Sequence, residues 1–184
     1  MTQLNLSQLS FLVIDDNAFM RKLLRSMLNA FQVGEVQDAS DGVDAFKLMK
    51  NGYEPDLIVT DAKMPVMSGL EFTRWVRTTD EVKKNDIPII LVTAFTEAQL
   101  VRDARDAGVD EFLSKPVSAD DLLRRIEAII RKPRSFVRSG KYAGPDRRRK
   151  QVEIRKPDRR QEEEPRTTLR NLESSNRSHS QAHR

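Results

Sequence analysis

Asp15 and Asp16, Asp61, Thr93 and Lys115 are the side chains of this sequence that could do chemistry together, and each stands where an apolar run ends. Two acids close FLVI (11–14), one follows LIVT (57–60), a threonine closes IPIILVT (87–93), and a lysine follows EFLS (111–114). Carboxylates crowded into a partly desolvated place repel one another. A hard divalent cation relieves them, and Mg2+ suits a few carboxylates completed by waters and phosphate oxygens. A carboxylate is also a nucleophile toward phosphorus, forming an acyl phosphate while a metal and an ammonium offset charge on the transferred group. Asp61 is the candidate nucleophile: in PDLIVTDAKMP (55–65) a buried strand carries an acid straight into a proline turn, which packing alone does not require.

Taken singly, these residues have plainer readings. Asp15-Asp16 also reads as an acidic pair opening a helix, Thr93 as a good strand residue, and Lys115-Pro116 as a loop. Their joint position after four different strands favours convergence. In an open α/β sheet, ligands bind outside the carboxyl ends of the strands.

The elements that must position them follow from periodicity. Apolar runs alternate with helical-period segments over about 120 residues, the signature of an α/β fold. After the first strand, Met20, Leu23, Leu24, Met27, Leu28 and Phe31 form one stripe. Glu35 to Ala39 alternates like an edge strand, and a helix from Gly42 to Lys50 buries Ala45, Leu48 and Met49. Ser68 to Glu71 is an S-x-x-E capping box opening a helix that carries Phe72, Trp75 and Val76, and Thr96 to Gln99 is a second box. Gly108 sits where that second helix stops. The last helix runs from Ala119 to Arg131 and buries Leu122, Leu123, Ile126, Ile129 and Ile130.

Composition sets further bounds. There is no Cys, and the two His lie near the C-terminus, so a disulfide framework and zinc chemistry are excluded. No G-x-G-x-x-G follows the first strand, which disfavours dinucleotide binding. The start MTQLNLSQLS lacks a basic leader, and no apolar run approaches the roughly 18 residues of a membrane span, so a soluble, cytoplasmic protein is expected. Residues 1–131 carry 16 Lys/Arg and 21 Asp/Glu; residues 132–184 carry 16 and 7. The expected organisation is an extension at 1–9, a domain at 10–131, and a basic, largely disordered tail at 132–184, too poor in apolar residues to offset chain entropy.

Asp15-Asp16, Asp61 in DAKMP, Thr93-Ala94 and Lys115-Pro116, spread over five βα units, resemble the receiver domain of bacterial two-component response regulators, similar to the stand-alone CheY-like type. The resemblance implies a flavodoxin-like, doubly wound five-stranded parallel sheet of order 2-1-3-4-5 with five helices. It implies that Asp61 accepts a phosphoryl group from a sensor histidine kinase or phosphotransfer protein. Asp16, Asp61 and the backbone carbonyl of Lys63 would ligate Mg2+, with Asp15 reaching it through water. Thr93 and Lys115 would bind phosphoryl oxygens, and Thr93 with Phe112 would form the switch. The face of the fourth helix, fifth strand and fifth helix would then change its protein partner, in a chemotaxis-type pathway or a phosphorelay. Such a domain is not an enzyme beyond its own phosphoryl transfer and dephosphorylation, and it is a monomer or weak dimer.

Phe112 lacks the hydroxyl of the commoner tyrosine, so packing alone holds its states. Lys63 and Phe95 flank the expected path of the hydrolytic water and are expected to slow phosphoryl loss. The tail is open to three readings: a solvated charged chain, a binder of nucleic acid or anionic membrane gated by the receiver, or a segment folded back on the acidic domain. Its G-P-D-R-R-R element (144–149) resembles a segment found after some other bacterial receivers, consistent with a docking element.

Overall fold

In a computed structural model, residues 4–94, 98–140 and 142–147 are described. Five strands, β1 (Ser10–Ile14), β2 (Glu35–Ala39), β3 (Leu57–Asp61), β4 (Ile89–Thr93) and β5 (Glu111–Ser114), form one parallel sheet of order β2-β1-β3-β4-β5. The expected α/β architecture and strand order hold. β3 and β4 are buried at every position, as strands covered on both faces must be.

Alternate residues serve opposite faces. Phe11, Val13, Leu57, Val59, Ile90 and Val92 pack with Leu24 and Leu28 of α1 (Ala18–Ala30) and with Leu122, Ile126, Ile129 and Ile130 of α5 (Ala119–Arg131). Leu12, Ile14, Ile58 and Ile89 face Ala45 and Met49 of α2 (Gly42–Lys50) and Phe72 and Val76 of α3 (Gly69–Thr78). α4 (Ala98–Ala107) lies on the second face too, where Ala104 meets Leu91 and Val109. Ser68 caps α3 with both arms of the expected box, Glu71 returning the bond to the Ser68 N–H. The expected box at Thr96 falls outside the described residues.

Two expectations change at the chain ends. The N-terminal extension belongs to the core: Leu6 and Leu9 are buried, and the Leu6 carbonyl accepts from the Gly34 N–H at 3.2 Å. The disordered tail does not begin at 132. β6 (Phe136–Ser139) and β7 (Tyr142–Pro145) form an antiparallel hairpin, with Phe136 buried and Asp146 N–H donating to the Ser135 carbonyl at 2.8 Å. The reading in which the tail folds back describes residues 136–140 and 142–147; residues 141 and 148–184 of the expected tail lie outside the described residues.

Candidate functional site

The carboxyl ends of β1, β3 and β5 lie along one edge of the sheet, with β4 between the last two, and they bring three of the expected residues into contact. Asp15 follows β1, Asp61 closes β3, and Lys115 follows β5. The Lys115 ammonium donates to Asp61 Oδ1 at 2.7 Å and to Asp15 Oδ2 at 3.1 Å. Both acids are buried, Asp15 to 1 % exposure and Asp61 to 8 %, so the ammonium between them offsets charge that water does not reach. Asp61 Oδ2 accepts from the Lys63 N–H at 3.1 Å, and Asp15 Oδ1 from the Asn17 N–H at 2.8 Å.

The second acid of the pair is placed differently. Asp16 is exposed at the rim, its main-chain carbonyl, like that of Asp15, accepting from the Arg21 guanidinium. The plainer reading of this pair as acids opening a helix leaves them just ahead of α1, whose cap is Asn17, accepting from Phe19 and Met20 N–H, and no acid lies in its first turn. Among the described residues no three acidic or imidazole groups are gathered into a ready cation cage. The donor set nevertheless fits a hard cation in its chemistry, since two buried carboxylates, the rim carboxylate of Asp16 and the Lys63 carbonyl are all oxygen donors.

Burial pushes the Asp61 carboxyl above the usual aspartate range; the Lys115 hydrogen bond and charge pull it back only partly, and Asp15 adds to the rise. Burial works against the charged form of Lys115, yet its bonds to Asp61 and Asp15 prevail and hold the amine above the usual lysine range. Asp61 is thus a carboxylate under electrostatic pressure, and added positive charge would stabilise it.

β3 is fitted tightly to α3. A Cβ on Gly69 would lie 2.0 Å from the Asp61 carbonyl oxygen and 2.8 Å from Thr60 Oγ1. Glycine there lets the start of α3 touch the backbone of Asp61 itself.

Comparison with known proteins decides what this arrangement belongs to. The family model of the response regulator receiver domain matches residues 11–127. The chain belongs to the response regulator receiver family. It is 38% identical over 121 residues to the response regulator MprA of Mycobacterium sp. (strain KMS), covering 66% of this chain and 50% of that one. It therefore spans about half the length of that relative. It is 30% identical over 122 residues to the chemotaxis protein CheY-3 of Vibrio cholerae, covering 66% of this chain and 92% of CheY-3. Among solved structures, Vibrio cholerae CheY4 aligns with a TM-score of 0.60 at 28% identity, over 66% of this chain and 98% of that one. The receiver domain of the sensor histidine kinase PA1611 from Pseudomonas aeruginosa aligns with a TM-score of 0.56 at 26% identity, over 65% and 94%, and is described with magnesium coordinated in its active site cleft.

In this CheY-like receiver, the expected switch residues occupy adjoining strands. Thr93 closes β4 in register with Ser114, and its carbonyl accepts from the Lys115 N–H at 2.9 Å. Phe112 lies two residues before that pair, half-buried against Leu91, Ala104, Val109 and Leu100 between β4 and α4. Thr93 is buried. Phe95 falls outside the described residues. No helix among the described residues is long and apolar enough to cross a membrane.

The opposite, amino end of the receiver sheet holds a group that sequence reading missed. Arg77 of α3 is 2 % exposed; it donates to the Gly108 carbonyl at 3.1 and 3.0 Å, to the Asn85 carbonyl at 2.8 Å and to Asp110 Oδ2 at 3.1 Å. The Asp110 carboxylate also accepts from the Ile89 N–H at 2.9 Å. The signal was present: Thr73 and Arg77 are polar residues four apart on the face of α3 that Phe72 and Val76 bury.

Proposed function

We propose that this receiver takes a phosphoryl group on Asp61 from the phosphohistidine of a sensor kinase or phosphotransfer protein and uses it to change which protein its surface binds. The observation that carries the reading is the buried Asp61 carboxylate at the mouth of the sheet, held by Lys115 and pressed by Asp15. An Asp61 oxygen attacks phosphorus: the new P–O bond forms as the P–N bond breaks, and the imidazole leaves with the electron pair. Lys115 then pairs with a phosphoryl oxygen in place of the free carboxylate, and the Thr93 hydroxyl donates to another. Asp15, Asp16, Asp61 and the Lys63 carbonyl would hold Mg2+, which when bound screens the charge of the incoming group. Loss of the phosphoryl group is hydrolysis of the acyl phosphate, with Lys63 beside the acceptor.

The surface that changes is formed by α4, β5 and α5, because Phe112 packs between the site strands and α4. The Borrelia burgdorferi CheY solved with CheX, beryllofluoride and magnesium aligns with a TM-score of 0.60 at 26% identity, and a protein target of that kind fits this chain. A second reading, in which the receiver gates a basic segment that binds nucleic acid or anionic membrane, is favoured by the contact of Arg147 with Asp106 of α4 at 3.2 Å. Deleting 148–184 separates the two: protein output survives under the first and is lost under the second.

The deciding experiment supplies Mg2+ and acetyl phosphate and measures intact mass. The expected result is one base-labile phosphoryl group per chain, absent from Asp61→Asn. A folded, magnesium-supplied wild type that stays unmodified with every competent donor refutes the proposal.

A further inference from the structure

Helix α4 is held to the sheet more weakly than its neighbours. Its buried side chains are Ala104 and Ala107, whereas α3 buries Phe72 and Val76, and α5 buries Leu122, Ile126, Ile129 and Ile130. Anchoring by burial scales with apolar area, so two alanine methyls helped by the half-buried Leu100 hold a helix less firmly than several fully buried leucines and isoleucines. The same helix follows Thr93 by a few residues, next to the site.

The hairpin supplies what α4 lacks. β7 runs against the turn that ends α4, where Gly108 has φ +95. A Cβ at Gly144 would lie 2.8 Å from Gly108 Cα, and one at Gly108 would lie 2.9 Å from the Ala143 carbonyl oxygen. Facing glycines thus let backbone meet backbone. Arg147 stacks 3.8 Å from the Tyr142 ring centroid and reaches Asp106 of α4 at 3.2 Å.

The other strand is seated on the rigid part of the fold. The Phe136 ring is 4 % exposed and lies 5.7 Å from the Arg77 guanidinium carbon. Arg138 donates to Asn85 Oδ1 at 2.8 Å, and Arg134 donates to the Asp110 carbonyl. One strand is therefore fastened to the Arg77 knot; the other meets Gly108 at the edge of that knot, and Arg147 just beyond it reaches the loosely held helix. A two-stranded hairpin is marginal by itself, so its docking depends on both seats.

We infer that the β6–β7 hairpin is a releasable strap on α4, docked while Lys115 pairs with the free Asp61 carboxylate and loosened when the phosphoryl group takes Lys115 over. The inference rests on the phosphoryl-acceptor reading above. Movement of α4 breaks the Arg147–Asp106 pair while Gly108, bonded to Arg77, and Phe136 keep their places, so the hairpin is loosened from the Arg147 end. Linkage makes the coupling reciprocal: whatever factor the bound anion costs the docked strap, a weakened strap returns to anion binding.

The test uses the full chain and beryllofluoride with Mg2+ as the probe, read by amide hydrogen exchange. Peptides covering 57–63 report occupancy of the site, and peptides covering 136–145 report the strap. The expected result is slower exchange at 57–63 together with roughly tenfold faster exchange at 136–145. Arg147→Ala, a surface change that leaves the core intact, is expected to speed strap exchange without the probe and to tighten beryllofluoride binding by a similar factor. Gly144→Val gives the same pattern in a larger degree if it folds. Strap exchange unchanged within about twofold, while 57–63 becomes protected, overturns the strap and leaves the acceptor reading intact. No response in either region overturns both.

Discussion

At each end of the sheet a cation sits between acidic or carbonyl oxygens, and the two ends treat it differently. At the amino end, Arg77 and Asp110 have side chains 1% and 3% exposed. The planar guanidinium spends its donors on the Gly108 and Asn85 carbonyls and the carboxylate, whose oxygen also takes the Ile89 N–H. At the carboxyl end, Lys115 is 24% exposed and is shared by two acids that repel one another. An ammonium is a compact point charge that can change partners, whereas a fixed fork cannot. The saturated pair locks the junction of α3, β4 and β5; the under-neutralised one leaves a carboxylate that added positive charge would stabilise.

That contrast can be broken at its rigid end first. Arg77→Met leaves Asp110 buried without its cation and removes the seat of Phe136, with an expected loss of about 3–5 kcal/mol, measured by urea unfolding with and without residues 132–184. A loss below about 1 kcal/mol would show that the knot is not the anchor it looks like. Gly69→Ala comes next: its Cβ collides with the Asp61 carbonyl, and overpacking of that kind costs about 1–3 kcal/mol. Slower phosphorylation at unchanged donor concentration should accompany it, because the acceptor backbone must shift.

The reactive end responds in the opposite direction. A carboxyl whose folded pKa is raised contributes stability at low pH and loses it as pH climbs past the ordinary aspartate value. Asp61→Asn cannot ionise, so in metal-free buffer it should melt roughly 2–5 °C above wild type at pH 7, the gap closing near pH 3. A variant that melts lower at pH 7 would contradict the electrostatic pressure assigned to this site. Smallest of all is Arg25→Ala. Its pair with Asp38 at 2.6 Å is half-exposed and Arg21 holds the same carboxylate, so a change below about 0.5 kcal/mol in urea unfolding is expected.

The two ends also differed in how far they could be read from sequence. Strand ends are legible because burial on both faces leaves near-continuous apolar runs that stop abruptly at Ile14, Thr93 and Ser114, and polar residues at or just beyond those ends must share one mouth. α2, α5 and β5 begin and end where periodicity placed them, since their caps and buried stripes are local. The hairpin was not legible. Its own apolar residues are few, and its stability comes from Gly108, Arg77 and Asp106, which are distant in the chain. The single bridging position of Lys115 was likewise hidden, because strand order fixes which residues are neighbours but not how one ammonium divides itself between two acids.

Leu6 and Leu9, docked beside the start of β2, and the hairpin, seated near Asn85 and Gly108, both lie at the end of the sheet away from Asp61. A fluorophore or immobilising tether attached through either of those stretches would leave the mouth clear for a docking donor. The stretch around Leu6 and Leu9, which is not part of the strap, is the place where such a label would leave both the mouth and the hairpin untouched.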